Sequence, residues 1–514
     1  MSQVSAAAPT GLRRRWLVRL PAAVGLGLLL ALAFPPYGAW WLAVPAVAAA
    51  TLLVRGLPGG PAAVVGLAFG TAFFALLLRW LLVIGPDAWL LLSVVQGGYV
   101  AGLFAGLAVV QRLPGWPVWT AALWVAAEAV RATVPFGGFP WGRLAFAQAD
   151  APFGPLVALG GTPLVTFAVA LAAGALAWGA RAAAARRPVP ALAALAAVAA
   201  PALVGLLVPL PTQGRAAVAA VVQGDVPRAG LDAFGQQAAV LRNHVDATLA
   251  LADDVAAGGV PQPELVVWPE NATDIDPYAS ASAAALIQDA VDAVAAPTLV
   301  GAVVTNPDDP STVLNLGIVW APGTGPGESY AKRHPVPFGE YLPFRDLLSR
   351  FVTRFERIPR DFAAGDEPGV LALGPARAGV VICFEVAYDG VVRDTVRGGG
   401  DLLVVQTNNA TYGRTGQPEQ QLAMSRLRAM EHGRTVLVAA TSGLSAVITP
   451  DGEVVAGSAE FEQWTAVRPV ALRTALSPAS RAGPWPEAVL ATLGVAACAV
   501  AALRRRQERS PAAP

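Results

Sequence analysis

Gly379-Val380-Val381-Ile382-Cys383-Phe384-Glu385 is a β-branched apolar run that ends on a thiol and a carboxylate. Apolar residues without alternation fit a strand covered on both faces, which belongs in an α/β layer fold. Working outward, similar runs recur at Ala216–Gln223, Glu264–Trp268, Thr298–Thr305, Leu316–Trp320, Leu402–Gln406 and Val436–Thr441. Between them, residues 233–255, 280–295 and 417–433 carry helical patterning. Strand–helix alternation of this kind predicts a layered α/β domain. Functional side chains in such domains gather at the strand ends.

Three unusual residues stand at such ends. Glu270 follows Val267-Trp268-Pro269, Lys332 lies in Tyr330-Ala331-Lys332-Arg333-His334-Pro335-Val336-Pro337-Phe338-Gly339-Glu340, and Cys383 closes the opening run. A thiolate attacks carbonyl carbon, and a carboxylate takes the thiol proton and later returns it. An ammonium stabilises the oxygen on which negative charge develops. Lys332 is the one lysine among 36 basic residues. In a chain that uses arginine everywhere else, it marks a place where a compact, tunable ammonium is needed. The alternative is a core cysteine beside a solvated glutamate, and the residue types alone leave that open.

The rest of the chain has a different texture. Of 514 residues, 55% are hydrophobic and 14% charged, and the mean hydropathy is +0.53. Soluble domains carry roughly 25% charged residues, so an ordinary water-soluble protein is excluded. Charge divides the chain into residues 1–211 at +9, 212–481 at −10 and 482–514 at +2. The one large polar region is acidic, which excludes a nucleic-acid binder. These boundaries predict a seven-span membrane bundle over 1–211, a catalytic domain over 212–481, and a final span with its tail over 482–514.

Apolar stretches at 17–34, 38–54, 61–83, 88–110, 116–134, 156–178, 189–209 and 486–503 give about eight spans. Thirteen arginines fall on the side of the N-terminus, among them Arg13, Arg55, Arg112, Arg181 and Arg504, against Arg79, Arg131 and Arg143 on the other. Positive residues stay cytoplasmic, so the domain 212–481 is expected outside. The first run lacks a small-residue cleavage site and is read as an uncleaved anchor. An exported domain whose one cysteine is Cys383 forms no internal disulfide.

Glu270, Lys332 and Cys383 in this order, within WPE, KxHxVPFGE and ICFE, resemble the carbon–nitrogen hydrolase (nitrilase) superfamily. With spans before and after the domain, the chain resembles the membrane-embedded branch, the bacterial apolipoprotein N-acyltransferases. The likeness extends to Glu128-x-x-Arg131 and to Gly138-Phe139-Pro140-Trp141. It implies an αββα sandwich on an α-helical bundle of about eight spans in the bacterial inner membrane. It also implies Cys383 as nucleophile, Glu270 as general base, Lys332 as oxyanion stabiliser and Glu340 as the glutamate that orients the lysine. Phe384, Glu385, Trp141 and Asn408 are the implied oxyanion or substrate-binding residues. The implied substrates are a membrane phospholipid as acyl donor and a diacylglyceryl lipoprotein as acceptor. No cofactor or metal is expected, and the protein is expected to act as a monomer. Two departures are visible. Phe384 stands where many relatives have Tyr, and Thr407-Asn408-Asn409-Ala410-Thr411-Tyr412-Gly413 stands where TNDAWFG is common. Two other readings stay open: an anchored amidase with the same triad, and an inactive membrane scaffold.

Residues 344–358 place apolar side chains at helical spacing with arginines between them, which fits either a lid at the membrane surface or a packed helix. Glu128 and Arg131, one helical turn apart, read as a structural ion pair.

Overall fold

The computed structural model describes residues 18–226, 237–273, 275–348 and 359–507. The chain divides into two compact units, one of Met1–Leu156, Thr162–Leu207 and Pro484–Pro514, the other of Val157–Gly161 and Val208–Gly483.

The first unit is helical. It holds α1 (Arg19–Ala31), α2 (Ala43–Leu53), α3 (Gly59–Leu77), α4 (Pro86–Val110), α5 (Trp116–Arg131), α6 (Val157–Ala184) from Thr162 onward, α7 (Pro188–Leu207) and a last helix, Trp485–Gln507. Small residues bring the helices close where no hydrophobic force separates lipid from side chain. A Cβ on Gly66 of α3 would lie 2.5 Å from the Cβ of Phe104 in α4, and one on Gly27 of α1 would lie 2.2 Å from the Phe69 carbonyl. Among the described residues, five helices are long and apolar enough to cross a membrane. The first two expected spans give shorter helices of 13 and 11 residues. At 1.5 Å per residue these fall short of a hydrocarbon core of about 30 Å. The turn through Pro35-Pro36 and a 3₁₀ turn at Trp40–Leu42 take up the remaining apolar residues. Non-helical backbone at Gly160 and Gly161, with Gly161 at φ 72°, breaks α6 near its start.

The second unit is a four-layer sandwich. One sheet has the order β12-β1-β2-β3-β4-β5 and the other β11-β10-β9-β8-β7-β6. β1 (Arg215–Gln223), β2 (Leu265–Val267) and β3 (Thr298–Thr305) run parallel, as do β7 (Ala376–Ile382), β8 (Leu402–Thr407) and β9 (Val436–Ala440). Strand alternation divides their side chains between two cores. Ala219, Val221, Leu265 and Val267 meet Val380, Ile382, Val404 and Ala439 between the sheets. Ala220, Val222 and Val266 face outward onto α8 (Gln237–Ala256) and α9 (Ala281–Val294). On the far side lie α11 (Asp389–Arg397) and α12 (Gln417–His432), with α10 (Arg345–Leu348) in the loop after Lys332.

β4 (Val313–Ala321) is longer than the expected run, and five strands have no counterpart in the sequence reading. These are β5 (Gly325–Ala331), β6 (Val370–Leu373), β10 (Ala446–Ile448), β11 (Val454–Gly457) and β12 (Trp464–Leu472). All but β10 are edge strands: β6 and β11 are four residues long, β5 is rich in Gly and Pro, and β12 carries a proline. Pro469 sits inside β12 opposite Val218, whose N–H and C=O are both taken by Glu264 on the β2 side. The position of the missing proline N–H therefore points to the free edge, where no ladder bond is lost. Of the expected lid helix, one turn is present as α10, and residues 349–358 lie outside the described residues.

His244 on α8 is fully buried beside Trp268, and its Nδ1 donates to the Val240 carbonyl at 2.8 Å. Burial lowers its pKa to about 4. The unfolded chain binds a proton near pH 6.5 and the folded one only near 4, so stability is lost as pH falls through that window. This amounts to about 2 kcal/mol at pH 5. Thermal midpoints measured from pH 7 to pH 5 should fall more steeply for the parent protein than for His244→Gln.

Candidate active site

The sandwich brings four strand ends together. β2 runs into Pro269 and Glu270, β5 into Lys332, β7 into Cys383 and β8 into Asn408. Glu270 is 4% exposed and its oxygens are fixed by three donors. Oε1 accepts from Asn315 Nδ2 at 2.7 Å and from Lys332 Nζ at 3.3 Å, and Oε2 accepts from the Asn408 N–H at 2.8 Å. Lys332 is 1% exposed, with Nζ 2.7 Å from Glu340 Oε1. Glu340 is held in turn by the Val336 N–H at 2.6 Å on Oε2.

The Glu270 segment rests directly on β3. A Cβ on Gly301 would lie 2.0 Å from the Pro269 carbonyl oxygen and 2.8 Å from the Glu270 Cα, both backbone atoms that cannot turn aside. Gly301→Ala should therefore push the carboxylate out of place and lower activity roughly 100-fold, the usual effect of a 1 Å displacement. Activity close to the parent's in a folded variant would show that the contact is not limiting.

Cys383 begins a 3₁₀ turn, Cys383–Ala387, with φ at +55°. A left-handed non-glycine costs about 1–3 kcal/mol and persists only when its surroundings enforce it. Glu385 supplies that enforcement. Oε2 accepts from the Ile382 N–H at 2.7 Å, Oε1 from the N–H groups of Arg333 at 2.7 Å and His334 at 3.1 Å, and Tyr330 Oη donates to both oxygens. One carboxylate thus ties the cysteine turn to the backbone beside the lysine. It is 0% exposed, so Glu385, expected among the residues that meet substrate, has both oxygens occupied by the chain itself.

Electrostatics follow from burial and these neighbours. Burial opposes the Lys332 ammonium, yet Glu270, Glu340 and Cys383 hold its pKa well above the usual lysine value. For Cys383, burial first and the Glu270 carboxylate second push the thiol up to about 12, against the pull of Lys332. The resting sulfur is thus protonated, and it becomes nucleophilic when a base removes the proton during attack. Glu270 is a carboxylate with lysine and asparagine donors on one oxygen, suited to that transfer.

Phe384 is buried edge-on to Tyr388, with ring centroids 5.3 Å apart, and Tyr388 stacks on His334. Asn408 contributes its backbone, while its side-chain oxygen accepts from Thr441. Trp141 belongs to the helical unit, where it is 2% exposed and packed with Trp80 and Phe139. In that unit Glu128 accepts from the Leu144 N–H and the Thr166 hydroxyl, and Arg131 donates to the Phe139 and Trp141 carbonyls. Both side chains thus brace the loop after α5, in place of the direct ion pair expected between them.

Sequence reasoning missed Asn315. Its Nδ2 bridges Glu270 and Glu340, and its carbonyl accepts from the Lys332 N–H. The available signal was one amide inside the apolar strand Val313-Leu314-Asn315-Leu316. Among the described residues, no cluster of His, Cys, Asp or Glu could hold a metal ion.

Comparison with known proteins agrees across both units. The Apolipoprotein N-acyltransferase N-terminal domain family matches residues 26–175, and the Carbon-nitrogen hydrolase family matches 218–476. An apolipoprotein N-acyltransferase of Mycolicibacterium smegmatis is 42% identical, over 94% of this chain and 85% of its own length. One of Azotobacter vinelandii is 32% identical over 96% of each chain, and one of Pseudomonas putida is 32% identical over 93% of this chain and 97% of its own. The match runs through the helical unit, the sandwich and the strand ends that carry Glu270, Lys332 and Cys383, and the chain belongs to the apolipoprotein N-acyltransferase family.

Proposed function

We propose that the protein moves an acyl chain from a membrane phospholipid, through a thioester on Cys383, to the N-terminal amine of an S-diacylglyceryl-cysteine lipoprotein. The observation that carries this reading is the convergence of the buried Glu270 and Lys332 with a half-buried Cys383 in a chain of this family. In the first half-reaction the Cys383 sulfur attacks the ester carbonyl as its proton passes to Glu270. Negative charge on the carbonyl oxygen is met by Lys332 Nζ, which Glu340 orients. Collapse breaks the ester C–O bond, and Glu270 returns the proton to the departing lysophospholipid oxygen. In the second half the acceptor's neutral amine attacks the thioester, Glu270 takes one amine proton, and the amide forms as the Cys383 thiolate leaves and is reprotonated.

Glu385 and Asn408 act here by positioning the turn and the base, while Phe384 walls the nucleophile and Trp141 braces its own loop. The five long apolar helices, the three shorter ones and the arginine distribution support eight spans in the bacterial inner membrane. In that arrangement residues 1–211 hold seven spans, 212–481 form the catalytic domain outside, and 482–514 hold the last span of a monomer.

The test supplies purified protein with phospholipid bearing a labelled acyl chain and a diacylglyceryl-cysteine peptide. Label in an amide at the peptide N-terminus is the expected product. Release of free fatty acid alone, unchanged by the peptide, would instead establish an anchored hydrolase.

A further inference from the structure

Where β5 ends at Ala331, residues 361–365 take its place beside β4. Val313, at the head of β4, donates its N–H to the Asp361 carbonyl at 3.0 Å and accepts from the Ala363 N–H at 2.8 Å. From there this strap reaches the backbone of two residues of the site. The Phe362 N–H donates to the Glu340 carbonyl at 2.9 Å, and the Gly365 N–H donates to the Lys332 carbonyl at 2.9 Å. The lysine backbone is thus held on both sides, its N–H by Asn315 and its carbonyl by Gly365. Gly365 rests directly on the end of β5: a Cβ there would lie 2.4 Å from the Ala331 carbonyl oxygen and 3.0 Å from its carbonyl carbon. The acyl-transfer steps give none of these strap residues a task.

The Asp361 side chain fastens the strap to the loop that carries Glu340. Its Oδ1 accepts from the Leu342 N–H at 3.0 Å, and Arg345 grips both oxygens, Nε on Oδ2 at 3.0 Å and Nη2 on Oδ1. The chain that follows Glu340 is therefore tied to the same strap whose Phe362 N–H holds the Glu340 carbonyl. We propose that Asp361 is a positioning residue which, through this strap, sets the contact between Glu340 Oε1 and Lys332 Nζ, 2.7 Å in the structure. The Val336 N–H fixes the Glu340 carboxylate, and the strap fixes the backbone behind it. The side chains of Arg345 and Asp361 are 34% and 32% exposed, so their pair adds little to stability. What a two-pronged guanidinium–carboxylate contact supplies is geometry. Without that carboxylate the chain after Glu340 loosens from the strap, and the contact with Nζ lengthens.

This deepens the acyl-transfer reading and rests on Lys332 at the working site, but its first readout needs no turnover. Lys332 is the one lysine in the chain, so full-length protein in detergent, grown on lysine labelled with 13C at Cε, gives a single lysine signal. Asp361→Ala should move that signal toward its position in Glu340→Gln, and should add little when the two changes are combined. In acyl transfer the same variant should lower kcat roughly tenfold, part of the ~100-fold cost of a full 1 Å displacement, with KM within about twofold of the parent's. Asp361→Asn keeps one acceptor oxygen and should fall between the two. Arg345→Ala, the milder change, should move both readouts the same way by less, with the thermal midpoint close to the parent's. A folded Asp361→Ala that keeps the parent's lysine signal would overturn the proposal, and so would a moved signal with kcat unchanged. A parent protein with no acyl transfer at all would defeat the functional reading instead, and the lysine signal would still decide whether Asp361 places Lys332.

Discussion

Cys383→Ser is expected to lower acyl transfer by about four orders of magnitude or more, the scale seen when a covalent nucleophile is lost, while the protein stays folded. The exchange preserves the shape of the side chain, and the turn is held by Glu385 through backbone N–H groups that a serine keeps. Only the reacting atom changes. A serine hydroxyl is a far weaker acid than a thiol, so a carboxylate base such as Glu270 removes its proton far less readily. Bound phospholipid should remain intact, and the thermal midpoint should stay within a few degrees of the parent's. Substantial transfer by the serine variant would mean that the acyl chain travels by a route without a thioester.

Lys332→Arg is the second large effect and the more discriminating one. Charge is conserved, yet the site is built for a small cation. Nζ lies 2.7 Å from Glu340 and 3.3 Å from Glu270, the side chain is 1% exposed, and Asn315 bridges the same two carboxylates. A planar guanidinium spreads its charge over three nitrogens and needs more room than this socket gives. It would pair with the carboxylates while missing the position of the developing oxyanion. The expected loss is roughly 100- to 1,000-fold in kcat, as when an oxyanion donor is removed. Near-normal turnover would mean that any positive charge suffices there, and the survival of one lysine among so many arginines would be without functional cause.

That lysine shows which features a sequence exposes. Its scarcity was visible in composition, and its partner Glu340 lay eight residues away in the same loop. The central parallel strands were legible because burial on both faces leaves unbroken apolar runs, as in Leu402–Gln406. Edge strands are harder to see: β6 is an apolar run of only four residues, and in β5 Gly325-Pro326-Gly327 reads as a turn yet pairs as a strand through its neighbour β4. Asn315 was hidden because its importance depends on two carboxylates 45 and 25 residues away. The helical unit was legible as apolar stretches, but not as helix lengths, since Pro35, Pro36 and the break at Gly160–Gly161 redistribute residues between helix and turn. Glu385 was found by its place beside the nucleophile, while its work is settled by four donors from two separate strand ends.

The most direct measurement withholds the acceptor. Purified protein is incubated with phospholipid alone, and the peptide containing Cys383 is weighed with and without hydroxylamine. The expected result is a fatty acyl mass on Cys383 that hydroxylamine removes and that passes to a diacylglyceryl-cysteine amine when the acceptor is added. Transfer to that amine with Cys383 never acylated, in a protein competent for turnover, would contradict the thioester route.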